Sequence, residues 1–412
     1  MLGTLIALVL EVSARASIPI NENEEMAMKK VLMLSLLAAA MGPALAVDIK
    51  AGDWTVKVGG NVNAYYTVVR CKGDFDSGLA LAGRTIGCAG QDRRTTVGNG
   101  LLPSGLVTEA TTNQGGYDVK AHIGIYVAAA TDSAITQNST VDVREAFFSF
   151  GNADIGTIKL GRDYGIFGDR IILADMTLLG TGAPVQVTQR GRVALGHIGA
   201  GYAYAGQYGQ VVYTTPNVLP YGVVVDFGLM SPVDDTPIIA PSRYSAKSTP
   251  QVQVQLSGTY GPAKGWLGFK SQHFEAIDPA TTGNLRMNAV EVGASMDYGQ
   301  ASFLANFQRG KGLGLLSDAD QGDVKSTHYL VQAMYKADDK LKVGINYGES
   351  RNSDDAPGTG GLKKNSNVTV GAYYALNTAL TLVGEVGHTR SHGFNGASSH
   401  INGVSLGGII FF

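Results

Sequence analysis

The chain has 412 residues, of which 16% are charged and 55 are glycine, and its formal net charge is −2 at pH 7. No run of eighteen or more apolar residues occurs, which excludes a helical membrane span, and the near-neutral balance points to neither nucleic acid nor an acidic partner. Helical 3.6-residue patterns are missing beyond residue 46, so an α/β enzyme is excluded as well.

In chain order, residues 1–27 (MLGTLIALVLEVSARASIPINENEEMA) do not read as part of an export signal, and the expectation is a gene-start artefact ahead of initiation at Met28. Met28 to Ala46, MKKVLMLSLLAAAMGPALA, has two lysines, an apolar stretch and a small-residue ending. That pattern is a secretory signal peptide with cleavage expected before Val47. Residues 47–412 then form one domain. Export places Cys71 and Cys88 in an oxidising compartment, where a disulfide closing a small loop is expected, contributing about 3 kcal/mol; two unpaired thiols are the alternative. No second Cys pair or nearby His completes a metal site.

From Val47 onward apolar and polar residues alternate with a period of two, as in strands with two different faces. WTVKVGGNVNAYY (54–66) sets Trp54, Val56, Val58 and Val62 against Thr55, Lys57, Asn61 and Asn63. QVQVQLSGTY (251–260) sets valines and a leucine against glutamines, and KLKVGINYG (340–348) repeats the pattern. Sixteen such segments can be counted, the weakest at 106–112, 207–214 and 263–275. Their connections alternate between short ones (113–116, 151–156, 260–265, 298–300, 337–339, 376–379) and long Gly/Ser/Asp-rich ones. The long ones are 70–105, 130–141, 163–206, 230–249, 276–286, 311–326, 350–366 and 390–399. This rhythm predicts an all-β, up-and-down antiparallel meander, and closure into a sixteen-stranded barrel removes its two edges.

One face must hold Lys57, Asp118, Lys120, Lys159, Asp226, Glu291, Lys342 and Glu385. Buried dry, each charge would cost several kcal/mol, so that face is expected to be wet and the apolar face to meet lipid. The closing SHINGVSLGGIIFF fits, with Val404, Leu406, Gly408, Ile410 and Phe412 on the lipid side. Tyr65, Tyr66, Tyr298, Tyr335, Tyr347, Tyr374 and Phe412, near strand ends, are expected in interfacial girdles.

VREAFFSFGNADIGTIKLGRDYGIFGDR (143–170) resembles the strand–turn–strand–loop stretch of Gram-negative general porins, and the terminal Phe412 resembles their C-terminal assembly signal. The resemblance implies a homotrimeric transmembrane barrel in the bacterial outer membrane, surrounded by lipid and inserted by the outer-membrane assembly machinery. It implies passive diffusion of small hydrophilic solutes and ions, with no cofactor. It also implies that the third loop folds inward, with Asp163, Asp169 and Asp175 as its acids, facing basic wall residues. Arg162 matches the family's wall position, Arg144 is the next candidate, and Lys57, Lys120 and Lys159 share inward parity. Removing Arg162 should then shift the reversal potential towards cations. Two departures stand out: Asp169 is followed at once by Arg170, and strict alternation aims Arg162 outward unless a bulge or the strand's end turns it in.

Two other readings are weighed against the general pore. A substrate-selective porin would bind organic anions in its lumen through the 163–206 region, with Tyr164, Phe167, Arg190, Arg192, Tyr202 and Tyr204. An outer-membrane barrel enzyme would need a nucleophile and base, but His122, His197, His273, His328, His388, His392 and His400 lie in no G-x-S-x-G or H-E-x-x-H context, so no catalytic residue is assigned. SDADQGD (317–323) lacks the bidentate glutamate of a calcium loop and reads as a solvated loop.

Overall fold

The computed structural model describes residues 47–130, 134–135, 141–184, 194–217, 220–235, 242–277, 283–355 and 361–412. The upstream segment, the signal peptide, Arg190 and Arg192 lie outside the described residues.

The strands are β1 (Val47–Ala51), β2 (Trp54–Gly73), β3 (Arg93–Gly98), β4 (Ser104–Gln114), β5 (Tyr117–Val127), β6 (Asp142–Asn152), β7 (Gly156–Tyr164), β8 (Gln207–Thr214) and β9 (Val224–Met230). They continue as β10 (Tyr244–Ala246), β11 (Gln251–Tyr260), β12 (Ala263–Ala276), β13 (Leu285–Tyr298), β14 (Ala301–Lys311), β15 (Lys325–Lys336), β16 (Leu341–Asn352), β17 (Leu362–Ala375), β18 (Leu380–Gly393) and β19 (Ser398–Phe411). All belong to one antiparallel sheet. β1, β3 and β10 are short additions. The other sixteen close on themselves, because β2 pairs with β4 on one side and β19 on the other. Closure satisfies every edge, which hydrocarbon requires.

The first and last described strands share one ladder with β2. β19 covers β2 from Gly73 down to Asn61, and Phe412 exchanges backbone hydrogen bonds with Gly60 (2.8 and 3.1 Å). β1 takes over from there, pairing Val47 with Val58 through Ala51 with Trp54. β19 and β1 therefore complete the last wall position together. At the tight-turn end, Gly115 and Gly116 both carry positive φ (59° and 82°), the conformation a two-residue hairpin turn needs.

Alternation holds along the wall. Gln251, Gln253 and Gln255 are fully buried inside, while Leu256, Val386, Val404, Leu406 and Ile410 are exposed outside. Three details differ from the sequence reading. The 70–105 connection contains wall strand β3 and a short helix α1 (Arg84–Cys88). The connections expected at 350–366 and 390–399 shrink to 353–361 and 394–397, because polar residues such as Asn365 and Ser391 face inward and continue the strands. Tyr65 is no girdle residue: its odd parity turns it inside, where its hydroxyl donates to the Leu179 carbonyl. Tyr66, Tyr298, Tyr335, Tyr347, Tyr374 and Phe412 are exposed outside.

Leu406 lies well inside the apolar band. Leu406→Arg should destabilise the barrel in bilayers by about 2–4 kcal/mol, measured by urea unfolding in vesicles, whereas Asn402→Arg near the rim should cost at most about 1 kcal/mol.

Candidate channel site

The segment between β7 and β8 leaves and rejoins the wall at one place, where the Gly165 N–H donates to the Gly206 carbonyl (3.1 Å). In between it lies against the inner face of the opposite wall. Phe167 N–H donates to Gln253 (2.9 Å) on β11, Gly168 N–H to Glu291 (3.0 Å) on β13, and Ala203 N–H to Gln308 (2.9 Å) on β14. Met176 N–H donates to Gln332 (2.7 Å) on β15 and Gly201 N–H to Ser350 (3.0 Å) on β16. Thr181 and Gly182 N–H both donate to Glu385 (2.6 and 2.9 Å) on β18. The contact with β16 needs Gly348, since a Cβ there would lie 2.2 Å from the Ala200 carbonyl oxygen. The segment carries helix α2 (Asp169–Ala174) and a 3-10 turn, Met176–Leu179.

Two more segments enter the barrel. Leu81 and Ala82 N–H donate to Asn365 and Ser391 (3.3 and 2.9 Å), and Asp318 pairs with Lys270 (2.5 Å). Cys71 and Cys88 are disulfide-bonded, tying α1 to β2 at the base of the first of these segments.

These contacts change the electrostatic picture drawn from sequence. Glu291 and Glu385 are not wetted by an open lumen; they are almost fully buried, and the entering chain's N–H groups accompany them there. Glu385 also accepts from the Thr181 and Tyr373 hydroxyls (2.9 and 2.7 Å). A buried carboxylate is tolerated when donors replace its water. SDADQGD is likewise not a solvated loop. Asp318 is held by Lys270, Asp320 accepts from the N–H groups of Leu315, Leu316 and Ser317, and Asp323 pairs with Lys311 (2.8 Å), so its acids diverge. Among the described residues no three His, Cys, Asp or Glu side chains gather as a cation site.

The expected constriction residues separate into three groups. Arg162 is on the outside. β7 pairs with β6 and β8 in unbroken register, Arg162 falls opposite Ala146 and Gly209, and it is exposed on the outward parity. No bulge turns it in, so it cannot line a pore. Lys57, Lys120 and Lys159 do face inward, half-buried. Their partners lie on the same wall: Lys120 pairs with Glu109 (3.0 Å), Lys57 sits opposite Glu109 in register, and Lys159 pairs with Asp163. Asp163 is therefore a wall residue, because β7 runs on through Tyr164 before the chain turns in. Arg144 is inside, 5% exposed, pairing with Asp142 (2.7 Å) and lying over the Tyr126 ring (5.6 Å). A bulge between the Gly124–Glu145 and Ile125–Val143 pairs leaves Arg144 extra, so Arg144 and Glu145 both point in.

Asp169 and Asp175 are on the entering segment but do not face those cations. Asp169 begins α2, accepts from Gln255 (3.0 Å), and burial pushes its carboxyl up to about 6 against the nearby Arg170. Arg170 reaches Gln255 (2.7 Å), Ser257 (3.2 Å) and Asp226 (3.6 Å). Asp175 caps the 3-10 turn through Thr177 N–H (2.9 Å) and accepts from the Tyr202 hydroxyl and Asn346 (2.8 and 3.1 Å). Burial opposes its charge, but His197 beside it (3.3 Å) and these donors hold it below the ordinary carboxylate range. Both acids anchor the segment.

Among the selective-pore candidates, Phe167 is buried beneath the Lys270 ammonium (4.8 Å) and Tyr202 is spent on Asp175. Tyr164 and Tyr204 meet edge to face (6.4 Å). Sequence reasoning missed Glu109, Glu145, Tyr126 and His122, which cluster with these wall cations. His122 lies 3.1 Å from Glu145, 3.6 Å from Glu109, and stacks on Phe147 (4.7 Å). Inward parity on β4 and β5 was the available signal for Glu109, His122 and Tyr126, whereas Glu145 on β6 faces in because of the bulge.

A closed antiparallel barrel with an apolar outside, a charged inside and chain folded into its bore defines a channel protein of the outer-membrane type. The sequence profile of Gram-negative porins matches residues 34–393, and the chain belongs to that family. No curated protein matches its sequence significantly. Among solved structures it is similar to the outer membrane channel DcaP of Acinetobacter baumannii (TM-score 0.65, 16% identity, covering 88% of this chain and 99% of that one). It is also similar to the anion-selective porin of Comamonas acidovorans (0.60, 18%, covering 87% and 100%) and to OmpF of Salmonella typhi in complex with daunomycin (0.58, 15%, covering 88% and 100%). At these identities the likeness is one of fold.

Glu385→Ala should release the entering segment from β18. The expected result is a loss of about 2–4 kcal/mol in unfolding stability and noisier single-channel current, read by denaturant titration and planar-bilayer recording. Asp169 gives a pH test. Its folded value, about 6, is above the ordinary 3.8, so the folded state binds the proton more tightly and stability falls as pH rises between those values. Asp169→Asn should therefore melt higher than the parent protein at pH 7.5, with the gap closing by pH 4, followed by circular dichroism.

Proposed function

We propose that this protein is a passive outer-membrane channel for small hydrophilic solutes and ions, working as a homotrimer and catalysing no reaction. It is exported through the 28–46 signal, and the assembly machinery reads the strand that ends in Phe412. The observation that carries the channel reading is the reversal of polarity between faces, with an exposed apolar exterior around an interior lined by ionised side chains. Family membership supports it.

The balance of the inner wall supports weak ion selectivity. Across β2 to β7 the inward cations are Lys57, Arg94, Lys120, Arg144 and Lys159, and the inward carboxylates are Glu109, Asp118, Asp142, Glu145 and Asp163. Five meet five, and most are neighbours. A solute passing such a wall meets donors and acceptors at each step without a strong net field, and contacts that are weak and multiple let it leave again.

Planar-bilayer recording of the purified protein tests this reading: stepwise ohmic conductance is expected, and its absence would refute the channel. Under a salt gradient, Lys120→Ala should shift the reversal potential towards cations, because Glu109 loses its partner. Arg162→Ala should leave the potential unchanged, because Arg162 is outside.

A further inference from the structure

The connection between β14 and β15 (312–324) folds into the bore as a shaped element. Left outside, it would expose Leu313, Leu315 and Leu316; inside, all three are buried. Its form is fixed by its own residues. Asp320 accepts from the N–H groups of Leu315, Leu316 and Ser317 (2.9, 2.7 and 2.9 Å), and the Ala319 N–H donates to the Gly312 carbonyl (2.9 Å). Gly314 permits this turn, with a φ of 75° and the Ser317 carbonyl oxygen 1.8 Å from where a Cβ would lie. Ala319 takes the same left-handed region (φ 61°), which a residue with a Cβ adopts only where its surroundings enforce it.

The wall holds one side of this element. Asp318 pairs with Lys270 on β12 (2.5 Å) and accepts from Gln251 on β11 (3.1 Å), while Gln321 accepts from Asn352 on β16 (2.9 Å). Ala319 packs with Tyr244, Phe274, Leu285 and Met287. The other side meets both ends of the 165–206 segment. Leu313 joins Phe167 and Ala203 in a dry cluster, the Leu316 carbonyl accepts from the Tyr204 N–H (3.0 Å), and Asp318 accepts from the Tyr208 hydroxyl (3.2 Å). The Leu316 side chain fills the space that Gly199 leaves, since a Cβ on Gly199 would lie 2.2 Å from it. Within 199–205, Tyr204 alone is not buried. It meets Tyr164 edge to face (6.4 Å), and both hydroxyls lie within electrostatic reach of Arg144 on the wall.

We propose that the 312–324 segment is a strut that sets the width of the channel, with Leu316 as the positioning residue. The inference rests on the channel reading above and adds to it what limits the size of the solute. The wall's own acceptors take the N–H groups of Gly201 and Ala203, but the Tyr204 N–H goes to the strut. The exposed edge of the 165–206 segment is therefore placed across the bore by Leu316, which Lys270 and Asn352 brace in turn through Asp318 and Gln321. A close-packed joint has no slack, so truncating Leu316 leaves a void into which 199–204 can move. The side chain that shifts with it is Tyr204, and the free cross-section beside it shifts too.

The test is planar-bilayer recording, together with vesicle swelling in sugars from pentose to trisaccharide, on the purified mature protein. Leu316→Ala should add a second conductance level about twofold above the parent's and admit trisaccharide faster relative to pentose. Asp320→Asn keeps the apolar contacts but removes the carboxylate that shapes the strut, and it should move both readings in the same direction. Leu316→Met should retain parent behaviour. Asp323→Ala, which breaks the half-exposed pair with Lys311 on the same segment, should leave both readings unchanged. Melting of each variant is followed by circular dichroism. A merely structural role would lower the melting temperature of Leu316→Ala and Asp320→Asn while leaving the parent's current and sugar series, and that result overturns the proposal. If Leu316→Ala does not insert, Leu316→Val takes its place with the same two outcomes. Absence of steps from the parent protein would refute the channel itself, whereas a conducting parent with unchanged variants would refute the strut alone.

Discussion

The structure depends on one constraint: a strand bathed in hydrocarbon has no water to satisfy its backbone, so every ladder must find a partner in the chain itself. Closure needs one further device where the first and last described strands come together. There β1 and β19 divide one strand position between them, with Phe412 handing over at Gly60 to the Val47–Ala51 hairpin strand. Phe412 is paired through its N–H and one carboxyl-terminal oxygen with Gly60, and its ring is exposed on the outer face.

The same logic operates inside, with a different solution. The bore is wide enough to admit chain, and the chain that enters would bury unpaired N–H groups. The wall supplies side-chain acceptors at the places where they are needed: Gln253, Glu291, Gln308, Gln332, Ser350 and Glu385, drawn from six strands. Gln253, Glu291, Gln332 and Glu385 stand on inward parity positions between apolar or glycine neighbours, whereas Gln308 is followed by Arg309 and Ser350 lies between Glu349 and Arg351. The polar half of the alternating pattern thus serves as much to hold the entering segment as to line water. Apolar contacts finish the fit, with Tyr65, Met176, Tyr373 and Val383 forming one dry cluster between segment and wall.

Much of the fold was legible because period-two alternation and connection length are local properties. QVQVQLSGTY states its two faces outright, and the turn at Gly115–Gly116 is written in two glycines. The candidate site was legible only where it too was local. Lys57, Lys120 and Lys159 were placed by parity alone. Arg162 was misplaced when family resemblance was allowed to outweigh parity, and Asp163 was assigned to a loop that begins two residues later. Arg144 and Glu145 share the inside because of a bulge, a property of the pairing between β5 and β6 that neither strand's sequence announces. The wall partners of Asp169 and Asp175, Gln255 and Asn346, lie on β11 and β16, at separations no motif spans.

Charge placement decides what kind of field a solute meets. Acids on the entering segment facing bases on the wall would set up one field across the bore. Here Asp175 is turned towards His197, Tyr202 and Asn346, and Asp169 towards Gln255 and Arg170, while the wall cations face Glu109 and Asp163 on their own or adjoining strands. Paired charges about 3 Å apart act at a distance as dipoles, and their influence dies away within a few ångströms in water and salt. The bore along β2 to β7 is consequently a succession of short-range polar contacts, each able to replace a hydration bond. In the channel proposed above, a wall built that way favours passage of neutral polar solutes and of ions of either sign over the capture of any one of them.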